Sequence, residues 1–493
     1  MSKPIFFREQ KCYTLNQLSQ ELNLIDNYEK LKKVIGVLKR YGIIKSVQNT
    51  EYKYDDLSDL EVIAEISSDN TDVIYKFVFV GVVLVDDCVI CCYPKYIKSD
   101  EDNYSEEELI DEIKLCLKVI QKYDSTKNQS IHLYNGFEDA KLFNKLAVSL
   151  YLLRDYFDNG LYSNQESIIE TNGEGQIDWN RTINDTFSII KNEKPYYLEL
   201  QTLNTKTNEL DYFKLLHEVI ITECSKLLED SNLSVFFDLE TVKLSSQTLD
   251  DFGGIEYICY RLEKELQHQF ITKKQELLKV MYTYISEHEA WQTDYSLCLY
   301  GTNAFNLVWE EATRNIFDSI LKTPFKELKQ VNPSTGIGSE NESLYDIIEK
   351  PEWKMDNFSA VANKTLEPDI VSIHNNTFYI LDAKYYCPIF DAQESKIYNQ
   401  PGIQDVVKQF AYNMAFKNFI QTQNIPKTVN AFLIPTASKE YNSPGKRIGE
   451  VSLSILQNDG IPSIQIIELS HKDVFEKYLS SQKNTDLLDA LKL

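Results

Sequence analysis

Two short runs of the sequence carry the residue types best suited to hydrolytic chemistry. The first run reads EPDIV and contains Asp369, and the second reads YILDAKY and contains Asp382 and Lys384. The stretch HNNT between them is polar, and Asn-rich two-residue loops favour a tight hairpin. If Asn375 and Asn376 form that loop, the register of the hairpin places Asp369 directly opposite Asp382.

This pairing of carboxylates predicts a metal site. Two carboxylates about 5 Å apart on neighbouring strands destabilise a sheet unless positive charge lies between them. Mg²⁺ prefers carboxylate oxygens and keeps several waters, so it fits this position, and Mn²⁺ is expected to substitute for it. Lys384 follows Asp382 by two residues, so its side chain points to the same face and is suited to stabilising charge on a phosphate. A surface strand with alternating charges is the competing interpretation, but Asp382 interrupts an apolar run, where an unpaired charge would be costly.

The surrounding sequence predicts the elements that hold these residues. A helical pattern begins at Phe305, a second lies near residues 403 to 420, and strand-like runs lie near 429 to 435 and 464 to 469. Helices and strands in this mixed order indicate an α/β fold.

At these residues the sequence resembles the PD-(D/E)xK nucleases, in which Pro-Asp is followed, after a gap, by Asp-x-Lys at the end of an apolar strand. The context LEPDIV…FYILDAKYY is similar to nuclease subunits of McrC type, especially the LlaJI-type restriction endonucleases. That resemblance implies a further acidic ligand in the helix FNLVWEE: Glu310, with Glu311 as the alternative. It also implies an auxiliary role for Gln409, in supporting the site or contacting the DNA backbone.

The resemblance further implies a division of labour with a second protein. McrC-like subunits supply the nuclease, while a separate McrB-like AAA+ GTPase recognises and translocates double-stranded DNA. Two features of the sequence agree with this. The chain contains no Gly-x-x-x-x-Gly-Lys-Ser/Thr phosphate loop, and its 51 basic and 75 acidic residues give a net charge of −24, which is poor for autonomous DNA binding.

The rest of the chain divides into three predicted regions before a nuclease domain at residues 291–480. Residues 1–50 resemble a winged helix-turn-helix and hold a basic island, which would contact either DNA or protein. Thr14 is expected to cap the first helix, and the second carries apolar residues at helical spacing from Leu31 to Leu38.

Residues 51–130 predict a β-hairpin followed by a helix. In the hairpin, one strand from Val73 to Val85 is expected to turn at Asp86-Asp87 into a strand from Cys88 to Tyr93.

Residues 131–290 are of mixed character and are expected to dock on the motor. A helical pattern begins there at Ile255 and is expected to end near Trp291. The predicted fold is therefore multidomain α/β, with winged-helix-like and mixed regions before a restriction-endonuclease-like nuclease domain.

Apolar runs and cysteine spacing indicate the cellular compartment of the protein. The longest apolar run, residues 77 to 85, is far shorter than the roughly 20 residues of a membrane-spanning helix, and no secretory signal is visible. Nine cysteines without paired zinc-site spacing are typical of reduced, buried thiols. These features predict a cytoplasmic protein with no membrane partner.

Taken together, the sequence predicts a magnesium-dependent endodeoxyribonuclease subunit of a phage-defence restriction system. Asp369, Asp382 and Glu310 would hold the metal, with Lys384 and Gln409 assisting. Two alternatives remain open at this stage. One is an autonomous type II restriction endonuclease that recognises DNA through its amino-terminal residues. The other is a noncatalytic assembly subunit of the same kind of complex.

Overall fold

A computed structural model describes residues 3–48, 73–86, 88–98, 104–126, 144–207, 211–287, 297–332, 338–356, 358–391, 393, 395–437, 445–457, 460–483 and 488. The chain forms two units. One unit is Leu133–Cys298, and the other joins Ser2–His132 to Leu299–Leu493. The predicted segments 1–50, 51–130 and most of 291–480 thus lie in one unit. Among the described residues, no helix is both long enough and apolar enough to cross a bilayer.

The chain begins with a small α/β module, and local sequence explains its helices. Thr14 accepts the backbone N–H of Gln17 and closes a capping box at the first helix, as its sequence position predicts. Apolar residues at helical spacing bury one face of the second helix. Strands β2, β4 and β3 pair antiparallel in that order. The elements are β1 (Ile5–Arg8), β2 (Cys12–Thr14), α1 (Leu15–Glu21), α2 (Tyr28–Arg40), β3 (Ile44–Gln48) and β4 (Val73–Phe77).

The next elements confirm the hairpin expected after residue 72, with one difference. β5 (Val80–Val85) pairs antiparallel with β6 (Cys88–Tyr93), and Val85 faces Cys88 across the turn. The single long strand expected before the turn is instead two strands, β4 and β5. It breaks because β4 pairs with β2 and β3, whereas β5 pairs with β6. α3 (Glu106–Thr126) follows.

The unit Leu133–Cys298 is a helical assembly with small antiparallel sheets. Its strands pair as β7-β11-β8 and as β9-β10. The elements are α4 (Lys145–Asn159), β7 (Gln165–Thr171), β8 (Gln176–Ile177), α5 (Trp179–Asp185), β9 (Ser188–Lys191), β10 (Lys194–Tyr197), β11 (Gln201–Thr207), α6 (Tyr212–Asp230), α7 (Ser234–Phe237), α8 (Ile255–His268) and α9 (Thr272–Ser286).

The sequence pattern predicted one continuous helix from Ile255 to about Trp291, and this prediction is wrong. The chain leaves the helix at Gln269, whose side-chain oxygen accepts the backbone N–H groups of Phe270 and Ile271, both at 3.1 Å. The second helix begins at Thr272, and Phe270 is left 90% exposed.

The remaining chain contains a five-stranded sheet that carries the predicted hairpin. Its order is β15-β16-β19-β21-β20, with β16, β19 and β21 parallel and the two outer strands antiparallel. The elements are β12 (Leu297–Thr302), α10 (Phe305–Ile316), β13 (Glu352–Met355), β14 (Phe358–Val361), β15 (Ile370–His374), β16 (Thr377–Ala383), β17 (Ile389–Asp391), β18 (Lys396–Tyr398), α11 (Ile403–Thr422), β19 (Lys427–Thr436), β20 (Gly445–Val451), α12 (Ser454–Gln457), β21 (Ile464–Ser470) and α13 (His471–Leu479).

Helix α11 connects two parallel strands, β16 and β19, and packs into the core on two sides. Tyr412 and Phe416 join a cluster with Phe378 and Ile380 of β16. On another side, Phe410 packs with residues of β19 and β21. Burial on both sides explains why the helix lacks a single apolar stripe, and it fixes the residues of α11 relative to the end of β16.

Candidate active site

The hairpin that was expected to pair the two carboxylates forms with the predicted register. β15 and β16 are antiparallel, and His374 faces Thr377 across the turn. Asn375 and Asn376 both adopt positive φ, 44° and 56°, which is the geometry of a type I′ two-residue turn. The hairpin prediction is therefore confirmed.

The two carboxylates lie together at the open end of this hairpin. Asp369 immediately precedes β15, and its Oδ2 accepts the backbone N–H of Ala383 at 2.9 Å. Asp382 lies near the end of β16 and is 2% exposed. Burial, followed by the hydrogen bond and negative charge of Asp382 and the charge of Glu310, raises the pKa of Asp369 well above its usual range. The raised pKa reflects the cost of a second negative charge beside Asp382 in a poorly solvated position, and a bound divalent cation would offset that cost.

Lys384 extends from the same strand end and is held between two acids. Its Nζ lies 2.9 Å from Asp382 Oδ2 and 2.8 Å from Asp405 Oδ1. Burial lowers the pKa of Lys384, but the two carboxylates outweigh burial, so the net shift is upward and the ammonium stays charged. The backbone N–H of Lys384 also donates to the carbonyl of Leu433 at 2.9 Å. Both the main chain and the side chain of this lysine are thus fixed.

Glu310 lies beside the pair, bound to an arginine on its own helix. Its Oε1 is 2.5 Å from a terminal nitrogen of Arg314, whose Nε donates to the backbone carbonyl of Asp369 at 3.1 Å. Glu311 is 3.6 Å from the other terminal nitrogen of Arg314. The charge of Glu310, and not that of Glu311, is among the main causes of the raised pKa of Asp369. Electrostatics thus favours Glu310 as the third acid.

Gln409 lies inside the core next to β16, the strand that carries Asp382. The side chain is fully buried, and its Nε2 donates to the carbonyl of Ile380 at 3.1 Å and to Asn430 Oδ1 at 2.7 Å. Ile380 is two residues before Asp382 on β16. This position agrees with a supporting role, whereas a contact with the DNA backbone would require exposure that Gln409 lacks.

These acids are not arranged as a complete ligand cage. Over the part of the chain that the structure describes, no three or more His, Cys, Asp or Glu side chains are grouped closely enough to hold a metal ion. Asp369 and Asp382 are together, but Glu310 is hydrogen-bonded to Arg314. Oxygen donors supplied by two carboxylates suit Mg²⁺, which commonly binds through one or two carboxylates, substrate phosphate and water.

Sequence reasoning missed two residues of this site. Arg314 had a readable signal, because a glutamate four residues before an arginine on a helix predicts an ion pair. Asp405 lies in the first turn of α11 and contacts Lys384 only because that helix packs against β16. No local pattern distinguishes Asp405 from other acids near helix starts.

A tyrosine next to the lysine ties the site to the start of the chain. The Tyr385 hydroxyl donates to Glu9 Oε2, which also accepts the backbone N–H of Lys95 at 3.3 Å. All three residues are buried. The end of β16 is therefore anchored by Glu9 of the amino-terminal module, which Lys95, beyond that module, helps to hold.

Comparison with known proteins agrees with the sequence resemblance. The chain is 26% identical over 470 residues to the Type II restriction enzyme BsuMI component YdjA of Bacillus subtilis (strain 168), covering 92% of this chain and 88% of that protein.

Among solved structures, the half-complex of Thermococcus gammatolerans McrB AAA+ hexamers with bound McrC matches with a TM-score of 0.38 and 11% identity, covering 97% of this chain and 99% of that one. The Thermococcus gammatolerans McrBC complex matches with a TM-score of 0.26 and 12% identity, covering 64% and 88%. Both scores are too low to establish a shared fold.

The family profile described as LlaJI restriction endonuclease matches residues 79–472, which is well over half of the chain. This chain belongs to the LlaJI restriction endonuclease family.

Proposed function

We propose that this chain is the magnesium-dependent, DNA-cleaving subunit of a restriction system that defends a bacterium against phage, with a PD-(D/E)xK nuclease domain. The observation that carries the proposal is the pair formed by half-buried Asp369 and buried Asp382, with Lys384 two residues further along the strand. Membership in a restriction endonuclease family supports double-stranded DNA as the substrate.

Each residue has a distinct task in this proposal. Asp369 and Asp382 would hold the metal, with Glu310 as a third ligand once its carboxylate leaves Arg314. When bound, magnesium supplies Lewis-acid polarisation of the phosphate and a water of lowered pKa. The ammonium of Lys384 stabilises the negative charge that develops on the phosphate as the water attacks. Asp405 orients that ammonium, and Gln409 fixes the strand beneath it.

We further propose that a separate McrB-like AAA+ GTPase drives cleavage. The absence of a phosphate loop from the sequence and the net charge of −24 both support a second protein. The relative from Bacillus subtilis is itself described as one component of its enzyme.

Residues 131–290 are the proposed docking region for this motor. The hairpin of β9 and β10 exposes apolar side chains on both faces, since neighbouring Ile189 and Ile190 are 52% and 75% exposed. Phe187 and Leu198, which flank the hairpin, are 95% and 72% exposed. Large apolar side chains concentrated in this way are typical of protein-contact surfaces.

Cleavage of supercoiled plasmid tests the proposal. Wild type, Asp382→Asn and the control Asp473→Asn, which alters an acid in the first turn of α13, are compared in Mg²⁺ or Mn²⁺, alone and with the partner GTPase and GTP. We expect metal-dependent cleavage by wild type and the control, and a loss of at least about 1,000-fold in Asp382→Asn.

The pattern of activity separates the remaining alternatives. Cleavage by wild type without a partner would favour an autonomous endonuclease over a motor-driven subunit. If Asp382→Asn restricted phage and cut plasmid as well as wild type, the proposed site would be wrong and the noncatalytic assembly role would be favoured.

A further inference from the structure

One face of α2 carries four cations around a glycine. Lys32, Lys33, Lys39 and Arg40 stand at positions −4, −3, +3 and +4 from Gly36. Residues at these spacings are neighbours on a helix surface, so the four side chains surround the glycine on a single face. The opposite face is buried through Leu31, Val34, Ile35, Val37 and Leu38. The set Lys32, Lys33, Gly36, Lys39 and Arg40 is called the α2 basic face below.

The centre of this face is open among the residues that the structure describes. Gly36 is exposed, and a Cβ added there would meet no described atom within 4 Å. Glycine in a helix interior is less favourable than alanine, and the described residues offer no steric reason for it here. A position without a side chain lets a partner approach the helix backbone closely.

The length of the face allows it to reach the phosphates on both borders of a DNA groove. From Lys32 to Arg40 the helix rises about 12 Å at 1.5 Å per residue. The major groove of B-DNA is about 12 Å wide, with phosphates along both borders. If α2 crosses the groove, Lys32 and Lys33 lie near one border and Lys39 and Arg40 lie near the other, with Gly36 between them.

The charge of the first 48 residues contrasts with that of the rest of the module and of the whole chain. Residues 3–48 contain nine Lys and Arg against four Asp and Glu, a net charge of +5, whereas residues 49–77, which complete the module, contain two against eight, a net charge of −6, and the whole chain carries −24. A local basic surface on an acidic protein attracts a polyanion to that surface and leaves the remainder repulsive.

We propose that the α2 basic face binds the phosphate backbone of double-stranded DNA, with α2 crossing the major groove. The choice of DNA as the polyanion rests on the proposed nuclease function. The face lies outside residues 79–472, which match the family profile. Two short helices followed by the pair β3 and β4 support the winged-helix interpretation of the module.

Binding at this face would be coupled to the nuclease by direct contacts. Phe7 of β1 stacks on Phe77 of β4, with ring centroids 4.3 Å apart, and Glu9 accepts the hydroxyl of Tyr385 beside Lys384. DNA held by α2 is thus held by the same unit that carries the proposed active site.

The first experiment measures binding of a fluorescent 30-bp duplex to the full chain by anisotropy, in EDTA, between 50 and 200 mM KCl. The variant Lys33→Gln/Arg40→Gln is compared with Lys329→Gln/Lys427→Gln, which removes two exposed lysines from the same unit. Each phosphate contact contributes about 0.9 to the slope of log K against log salt. We expect the first variant to lose about two from the slope and about tenfold in affinity, and the control to match wild type.

The second variant, Gly36→Ala, keeps every charge. Because alanine favours a helix, we expect it to raise Tm by about 2 °C while weakening duplex binding several-fold. A substitution that altered only folding would not raise Tm while lowering the affinity for the duplex.

Three results would overturn the proposal: no duplex binding by wild type, equal salt slopes for wild type and Lys33→Gln/Arg40→Gln, or an equal loss in the control. Equal salt slopes for wild type and Lys33→Gln/Arg40→Gln would indicate that the α2 basic face contacts an acidic protein and not DNA. Binding is measured without cleavage, so such a failure stays distinct from failure of the nuclease, which Asp382→Asn tests.

Discussion

Replacing Asp405 by asparagine tests whether this residue positions Lys384. Asp405 Oδ1 is 2.8 Å from Lys384 Nζ, and the two side chains are 26% and 14% exposed. At an effective dielectric of about 20, the gross attraction is about 6 kcal/mol. Competition with water reduces the net value of a charge-assisted hydrogen bond to about 1.5–3 kcal/mol. Asp382 retains its own contact with the lysine at 2.9 Å, which favours the lower end of that range.

The expected result is a fall in kcat of about 10- to 100-fold with little change in KM, because the misplaced ammonium affects the transition state more than substrate binding. Plasmid cleavage under single-turnover conditions measures it. Asp473→Asn is the matched control, because Asp473 also lies in the first turn of a helix and its substitution removes a charge that interacts with the helix dipole, at a position away from Lys384. Activity within twofold of wild type, or an equal loss in the control, would refute the positioning role.

Three further predictions concern the surroundings of the site. Tyr385→Phe removes the hydroxyl that binds Glu9, and we expect it to lower the free energy of unfolding in urea by about 1–3 kcal/mol and also to reduce cleavage. Tyr379→Phe is the control, because it loses a buried hydrogen bond elsewhere on β16 and should show only the loss of stability. Burial lowers the pKa of His217 to about 4, so the folded state favours the neutral imidazole. The stability that this neutral histidine contributes is fully present above about pH 6.5 and is lost as the pH falls toward 4. Between pH 7 and pH 5 this loss should be about 2 kcal/mol in urea unfolding and absent in His217→Gln; an equal pH dependence in both proteins would contradict it. Finally, Mg²⁺ at 10 mM should raise the Tm of wild type and not of Asp382→Asn, whereas equal shifts would place the metal elsewhere.

The part of the site that was predictable depends on local chemistry. Two consecutive asparagines in positive φ fix a two-residue turn, and the turn fixes the register that brings Asp369 beside the end of β16. The amphipathic spacing of α2 and the threonine cap of α1 are equally local signals, and the structure confirms both.

The part that was not predictable depends on packing between distant segments. Asp405 contacts Lys384 because α11 crosses back over β16, and the sequence separation of 21 residues carries no trace of that path. The break between α8 and α9 was missed because a helical apolar pattern continues through Phe270. The side-chain oxygen of Gln269 instead accepts the backbone N–H groups of Phe270 and Ile271, and the helix ends there.

The hydrogen bond between Glu9 and Tyr385 has a consequence for the order in which the chain is completed during synthesis. Its two ends are 376 residues apart, so at about 5–20 residues per second a ribosome needs roughly 20–75 s to supply the second after the first. The continuous unit Leu133–Cys298 emerges within that interval and has all of its own residues before Tyr385 exists. The unit that joins Ser2–His132 to Leu299–Leu493 still lacks its last residues during that interval, although its first strands have already been synthesised. A polypeptide that terminates between residues 298 and 369 would therefore contain every residue of the unit Leu133–Cys298 and none of Asp369, Asp382 and Lys384.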